Sequence, residues 1–456
     1  MVVPPRITLH KFNVPIQHVK RHGLLSDGPP PVSEGPSDAI FAVKGQGTVS
    51  VKPTPIDTTQ LTIILSSSTN PHAGSVGLSV NSTRAVLWVQ AANTMDQRVL
   101  STSSEAAYVL DAPEKNQPYW LSFDAQNKRF RYGKGEMMRV NMLVESSWSK
   151  GDPSAELYKS LDHVVVHGTN DSALVCLRTA VNVDPAPHLC RPEDVSLQMI
   201  AENTHTVASD LPFACFQLYN NVAGPGMKLD TADFPDFSRA IQHSILTKGA
   251  LCYEKLQEKD KNFGYLRVTL DANAGESPGS PYVCEIWPFG NGSPIHDHGQ
   301  ACAVIKVLHG NINVSSYSGL AVGINEPWAT ANVEKDEVTF LTPSNYQIHR
   351  LHNDKEVHDA SSGNVIQDFA ATIQCYRYLP TDNVHYEYFD YINDKGETKE
   401  HFEPDSDWDF LTFKNLIRAE WGKVPRGKTG VGAQGRANGS VAPMDEAADF
   451  IQGESD

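Results

Sequence analysis

From residue 38 to about residue 175 the chain is a succession of short β-like runs: IFAVKG, GTVSVKP, LTIILSS, SVGLSVN, AVLWVQA, YWLSFDA, RFRYGKG, RVNMLVE and HVVVHG. Turn-forming residues separate them at a spacing of about 8–12 residues. No stretch of convincing helical period interrupts the series. A chain patterned in this way has few options. Its strands pair antiparallel through tight turns, and each sheet buries one face against another. The expectation over residues 37–180 is therefore an antiparallel β-sandwich.

The flanking segments read differently. Residues 1–36 are rich in Pro, Gly and Ser without a steady period, and are expected to form an irregular lead-in. VDPAPHLCRPED opens a Pro-rich linker expected over 181–209. DFPDFSRAIQHSILTKGALCYEKLQEK then reads as helical, with Phe237, Ile241, Ile245 and Leu246 on one face. Strands return over 266–388, and DWDFLTFKNLIRAEW closes the second unit with a helix over about 407–421. That unit is expected to span 210–422. Residues 423–456 hold few large apolar side chains and are expected to be disordered. The fold class is mainly β, in two units, which suits a length of 456 residues.

Charge and cysteine usage narrow the partners. A net charge of −16 argues against nucleic acid and membrane surfaces, both anionic. Part of that charge is local, in EPDSDWD and in the tail. No apolar run approaches the ~20 residues of a membrane helix, and the first residues do not pattern as a secretory leader. Seven cysteines occur without a CxxC pair. They read as reduced, buried thiols of a cytoplasmic protein.

The chemistry concentrates in SPIHDHGQACAVIKVLHG, residues 293–310. Residues i and i+2 of a strand share a face, so His296 and His298 would aim two imidazoles at one point. NYQIHRLHN supplies a third in His349, after the turn TPSN. His352 would face away on a regular strand, and His309, before Gly310, reads as a turn residue. The set predicts a metal centre. Asp297 lies between two of the ligands and reads either as a support to them or as a solvated acid. The Gly-Lys-Gly at 133–135 lacks the rest of a phosphate loop and reads as a plain hairpin turn.

GNGSPIHDHGQACAVIKVLHGNI resembles the first motif of the cupin superfamily, and of the cysteine dioxygenase family in particular. HRLHN is similar to that family's second motif, YLR at 265–267 to its upstream Tyr-x-Arg, and TIQCY at 372–376 to its Ser-x-His-x-Tyr. The resemblance covers about 210–422. It implies a small β-barrel with helices at its N-terminal side, and Fe(II) held by His296, His298 and His349. It further implies that Arg267 binds a substrate carboxylate, that Tyr265 lines the substrate end, and that Tyr376 serves the dioxygen site. A guanidinium fork suits a carboxylate. The activity implied is oxidation of a small thiol, foremost L-cysteine, to its sulfinic acid with O2. PYWLSFDAQNKRFRYGKGE in the first unit resembles, more faintly, the farnesoic-acid-methyltransferase-type β-sandwich module. That module's role here, docking a protein or a carbohydrate among others, stays open, and residues 1–180 are expected to be dispensable for metal binding.

Three departures qualify the resemblance. Ala303 stands where general cupins place a ligating glutamate and animal relatives a cross-linked cysteine. Cys302, one residue away, would point to the opposite face from Tyr376. Thr372 and Gln374 replace the Ser and His of the relay to Tyr376, and glutamine cannot carry a proton as histidine does. Zinc also accepts three imidazoles. The alternatives are a 3-mercaptopropionate or other thiol dioxygenase, a metal-binding cupin with a sensing or binding role, and a zinc or manganese isomerase.

Overall fold

The short runs of the first half become strands because each supplies apolar side chains to one face. Along Gln60–Ser66, Leu61, Ile63 and Leu65 are fully buried while their neighbours are half exposed. In the computed structural model the described residues are 7–9, 38–53, 59–94, 96–112, 117–168, 174–178, 180–181, 184–259, 263–270, 282–299, 301–320, 326–354, 357–358, 365–366, 368–379, 389–393, 395–402 and 405–424. One antiparallel sheet runs, in spatial order, Asp38–Ile40, His163–His167, Gln60–Ser66, Gly74–Asn81, Ala85–Ala91 and Gln97–Ser103. A second runs Met142–Ser147, Arg129–Lys134, Tyr119–Asp124, Gln46–Val51 and Leu174–Arg178. They share a core in which Ile63, Val76 and Leu87 of the first meet Val49, Leu121 and Phe130 of the second. The β-sandwich pattern of the sequence is realised in these two sheets.

The second half builds two further sheets. Seven strands include Asn311–Ser316, His349–His352, Ile295–His296 and Phe389–Ile392, and eight include Leu266–Thr269, Tyr282–Trp287, Ala370–Arg377 and Cys302–His309. Ile312, Val314, Val333 and Leu351 from the seven-stranded sheet pack with Trp287, Ile305, Val307 and Ala370 from the eight-stranded one. The other face of the larger sheet, through Ala371, Ile373 and Cys375, is covered by the helices Phe213–Val222, Phe237–Leu246 and Phe410–Trp421. The period-2 alternation along Ala370–Arg377 thus sends odd residues to the helices and leaves Thr372 and Gln374 on the inter-sheet side.

Several expectations are corrected. The lead-in of 1–36 contains a strand, Ile7–Leu9, which pairs antiparallel with Ala329–Ala331 at one edge of the seven-stranded sheet. The segment 181–209 is no linker. His188–Cys190 pairs with Val338 and Thr339, Leu197–Glu202 forms a helix capped by Ser196, and Leu189 is buried. Its prolines flank the strand rather than interrupt it, the placement that β-structure tolerates. The helical stretch divides at Gly249 (φ +83°) into Phe237–Leu246 and Leu251–Glu258, and Leu246 is 67% exposed. The expected disordered tail lies, from residue 425, outside the described residues.

Gly-Lys-Gly is not a tight turn itself but the entry to the hairpin connection that joins Arg129–Lys134 to its antiparallel partner Met142–Ser147. Lys134 ends the strand Arg129–Lys134 and its Nζ pairs with Asp111 at 2.9 Å. Gly135 (φ +75°) lies so close to the second half that a Cβ there would sit 1.8 Å from the Ser318 carbonyl oxygen. Only glycine combines that backbone with that approach. The following residues continue inward: the Glu136 N–H donates to Ser318 O, and Met138 is fully buried in the core beneath the eight-stranded sheet.

Candidate metal centre

His296 and His349 are direct partners across the antiparallel pair of Ile295–His296 and His349–His352. Opposed residues of such a pair place their side chains on one face about 5 Å apart, which explains why two histidines 53 positions apart (349 − 296) meet. His298 lies just beyond the strand end rather than on it, so the strand geometry expected for His-x-His holds only for its first member. The three rings still converge, with centroids 4.6–5.0 Å apart. One nitrogen from each lies within 4.8 Å of the others.

The tautomers are set by the backbone. His296 Nδ1 donates to Pro294 O at 3.0 Å, and His298 Nδ1 donates to Gln347 O at 3.1 Å. Their Nε2 atoms are thereby left as lone-pair donors. The Nε2 atoms of His298 and His349 are buried and have no hydrogen-bond partner. Orphaned buried nitrogens are costly, and two of them, converging with the His296 ring, fit a metal ion. The donor set is three neutral imidazoles. Ala303, where a carboxylate ligand would stand, is buried in the core opposite Tyr376 in the strand register. Cys302 stands opposite Arg377 and its thiol lies beside Cys215, on the helix side of the sheet.

Burial is also what keeps these imidazoles deprotonated. It lowers the pKa of His296 to about 4, with a smaller push from Arg267, and drives His298 and His349 well down, each helped by its neighbouring histidine. A ligand must shed its proton before it binds metal. Exposed histidines would begin to lose metal below their ordinary pKa near 6.5, whereas here His296 competes with protons only as pH approaches about 4. Retention of Zn(II) or Co(II) through dialysis is accordingly expected to be flat from pH 7 to 5 and to fail near pH 4. Steep loss between pH 7 and 6 would show that the imidazoles are solvated.

Beside the histidines lies a small cavity of about 10 Å³, lined in part by Tyr265, Arg267, Glu285, Trp287, Gln374 and Tyr376. Every residue expected at the site is therefore brought to it except Thr372, which stands behind it. The Thr372 hydroxyl accepts from Trp287 Nε1 at 3.1 Å, and Trp287 stacks on Tyr265 with centroids 4.2 Å apart. Tyr376 stacks on His298 at 5.8 Å. Its hydroxyl donates to Gln374 Oε1, and Gln374 Nε2 in turn donates to Glu285 Oε2. Burial drives the Tyr376 pKa far up, with the Glu285 charge adding to it, so the phenol keeps its proton. That proton is engaged by Gln374, not aimed at the metal position as the sequence reading expected.

Asp297 is not a solvated acid but is held by the backbone of Asp390. Its Oδ1 accepts from Asp390 N at 3.2 Å, and its N–H donates to Asp390 O at 3.0 Å. Burial raises its pKa to about 6, with Asp390 contributing. His309 closes its strand and pairs with Asp368 at 2.8 Å, away from the cluster.

Sequence reasoning missed Glu285, Gln347 and Glu136. The one legible signal was Glu285, a lone acid inside the apolar run YVCEIW. Such a residue in a central strand must bury its charge and needs a partner. Gln347 and Glu136 carry no such mark. The Gln347 N–H donates to Glu136 Oε1 at 2.8 Å, and its side chain donates to the carbonyls of Ala301 and Thr342, both at 2.8 Å.

No family model matches the chain. Among solved structures it is similar to sheep galectin-11 in complex with glycerol (12% identity, 32% of this chain and 97% of that one, TM-score 0.23). A carbohydrate-binding module, CBM66, from Bacillus subtilis is alike at 11% identity over 33% and 82% (TM-score 0.22). So is an uncharacterized conserved protein with a double-stranded β-helix domain from Klebsiella pneumoniae, at 10% over 28% and 90% (TM-score 0.19). Likenesses of this size carry no functional argument. No described helix is long and apolar enough to cross a membrane.

Proposed function

We propose that the second half of the chain is a cupin-type barrel acting as a non-haem Fe(II) thiol dioxygenase, converting a small thiol and O2 to the sulfinic acid, R–SH + O2 → R–SO2H. The observation that carries this reading is the convergence of His296, His298 and His349, a group without a carboxylate in which the Nε2 atoms of His298 and His349 are orphaned, beside a cavity holding Arg267, Glu285 and Tyr376. Three neutral ligands leave a more positive metal with open positions, which suits an anionic thiolate. Imidazole and thiolate together favour iron or zinc over the oxygen-seeking Mg and Ca. Iron, when bound, would supply the one-electron chemistry that dioxygen requires.

The residues do the rest. Pro294 O and Gln347 O hold two imidazoles in their ligating tautomers. Tyr265, Trp287, Leu351 and Phe389 wall the cavity with apolar surface and exclude water from the sulfur. Tyr376 remains a neutral phenol at the cavity wall, its oxygen free to accept one hydrogen bond while its proton is held by Gln374. Both oxygen atoms enter the product, so no external reductant is needed. A cytoplasmic setting, where thiols stay reduced, is part of this proposal.

The test is oxygen uptake by the Fe(II)-loaded full chain with cysteine, 3-mercaptopropionate, cysteamine and glutathione, with the sulfinate quantified. The expected result is uptake matched one to one by sulfinate for at least one thiol. Iron-loaded protein that consumes no oxygen with any of them would reject the enzyme. A second reading, a metal-binding sensor, would then stand, favoured by Gln374, which occupies the relay position without the capacity to carry a proton.

A further inference from the structure

Arg267 already has a carboxylate. Its Nε lies 3.8 Å from Glu285 Oε1, and the two residues are 3% and 4% exposed. The partner is fixed by register: Arg267 and Glu285 are directly opposed on Leu266–Thr269 and Tyr282–Trp287, and Glu285 is in turn opposite Thr372 on Ala370–Arg377. Three adjacent strands therefore hold the pair in place. The second oxygen of Glu285 accepts from Gln374, itself held by Tyr376. Beneath, Arg267 N–H donates to Asp407 Oδ2 at 2.8 Å, and Asp407 N–H donates back to Arg267 O at 2.7 Å. The guanidinium is thus fixed at its backbone end by Asp407 and faced by Glu285 inside the cavity.

We infer that the thiol this site takes carries no free carboxylate, because Glu285 stands as an ion-pair partner 3.8 Å from Arg267 Nε in the cavity wall where a substrate acid would have to bind. This rests on the thiol reading above and names the substrate class within it: a small aminothiol, or a cysteine whose carboxyl is blocked. A second carboxylate entering the cavity would meet Glu285 as a like charge, with Arg267 already paired to it and His296, Gln374 and Ser293 as the other polar groups among tyrosine, tryptophan, leucine and phenylalanine. Like charges brought together in a desolvated site oppose binding strongly. For the substrate acid to take the guanidinium, Glu285 would have to lose its partner. Removing one member of a buried pair leaves an uncompensated charge. Burial already pushes the Glu285 carboxyl up to about 7, and Arg267 is the main influence holding it down. A neutral amine meets no like charge from Glu285, and Gln374, which replaces the expected histidine, now has a reason: its amide donates to Glu285 and accepts from Tyr376 at once, which binds the carboxylate into the wall.

The test reads binding without turnover. The full chain loaded with Co(II), whose thiolate charge-transfer absorption reports sulfur binding, is titrated without oxygen with cysteamine, 3-mercaptopropionate, L-cysteine and L-cysteine methyl ester. The expected result is that cysteamine and the ester bind at least about tenfold tighter than the two acids, about 1.4 kcal/mol. Glu285→Gln, which keeps the shape and removes the charge, should move the acid-to-ester ratio toward L-cysteine by about tenfold or more. L-cysteine bound by the native chain as tightly as its ester, or a ratio unmoved in a folded Glu285→Gln, overturns the inference and leaves the thiol site standing. Absence of the absorption with all four thiols rejects the thiol site itself, and this inference with it. The acid–ester comparison is made on the native chain, so it does not depend on the variant folding.

Discussion

Replacing His349 with alanine is expected to leave the chain without stoichiometric iron. His349 is the one ligand supplied from outside the 293–310 segment, and it is the cross-strand partner of His296. Its loss removes one of three donors and opens a void beside the other two. Perturbing a residue that merely supports a ligand costs about 10–100-fold in metal affinity, so removing the ligand should cost more than about 100-fold. Metal analysis after gel filtration of the reconstituted variant should find well under one iron per chain. His352→Ala is the control. His352 is half buried, lies 3.5 Å from Asp354 and is not part of the three-histidine group, so its removal should leave the iron content intact. Unchanged iron in His349→Ala would end the three-histidine assignment.

Deletion of residues 1–180 is expected to unfold the second half or strip it of metal, against the independence that the sequence suggested. Two contacts decide this. Met138 is fully buried in the core beneath the eight-stranded sheet, and truncating such a methionine costs about 2–5 kcal/mol. Glu136 accepts the Gln347 N–H, and Gln347 O holds His298 Nδ1. Leaving a buried donor unmet costs about 1–3 kcal/mol. Against a net stability of about 5–15 kcal/mol, the sum is a large share. The truncated chain should melt at least about 10 °C lower or fail to accumulate. Glu136→Ala isolates the smaller step and should lower metal affinity while leaving the β-sandwich folded. A truncated chain with native melting temperature and full metal content would mean that these contacts are incidental.

What could be read in the sequence depended on how local its cause was. Strands separated by turns, and a histidine pair beside a glycine-rich turn, write their cause into adjacent residues. The ligand His349 was accessible because its own segment carries strand and turn marks. Glu136 was not. Its role arises from a meeting with Gln347, 211 positions away (347 − 136), and nothing in GKGEMM says that the backbone passes within contact of Ser318. Gly135 was noticed for its motif and misjudged for the same reason, since the atom that demands a glycine there belongs to Ser318, in a loop beyond the strand Asn311–Ser316 of the second half. The prolines of 181–209 misled because proline signals an interruption locally while tolerating a strand between two of them. Arg267 was found and half understood. Its spacing to Tyr265 was visible, but its partner is set by strand register, which a linear reading does not contain.

The strand Ile7–Leu9 has a consequence in time. Ile7 pairs with Ala331, and the two are 324 positions apart (331 − 7). At about 5–20 residues per second of synthesis, the partner emerges roughly 15–65 seconds after the strand that needs it. Until then the early strand has no edge to pair with. An uncovered sheet edge invites pairing with a neighbouring chain. The ribosome therefore hands over the first strand of this sheet long before the sheet exists, and through that interval the unpaired strand itself is open to a neighbouring nascent chain.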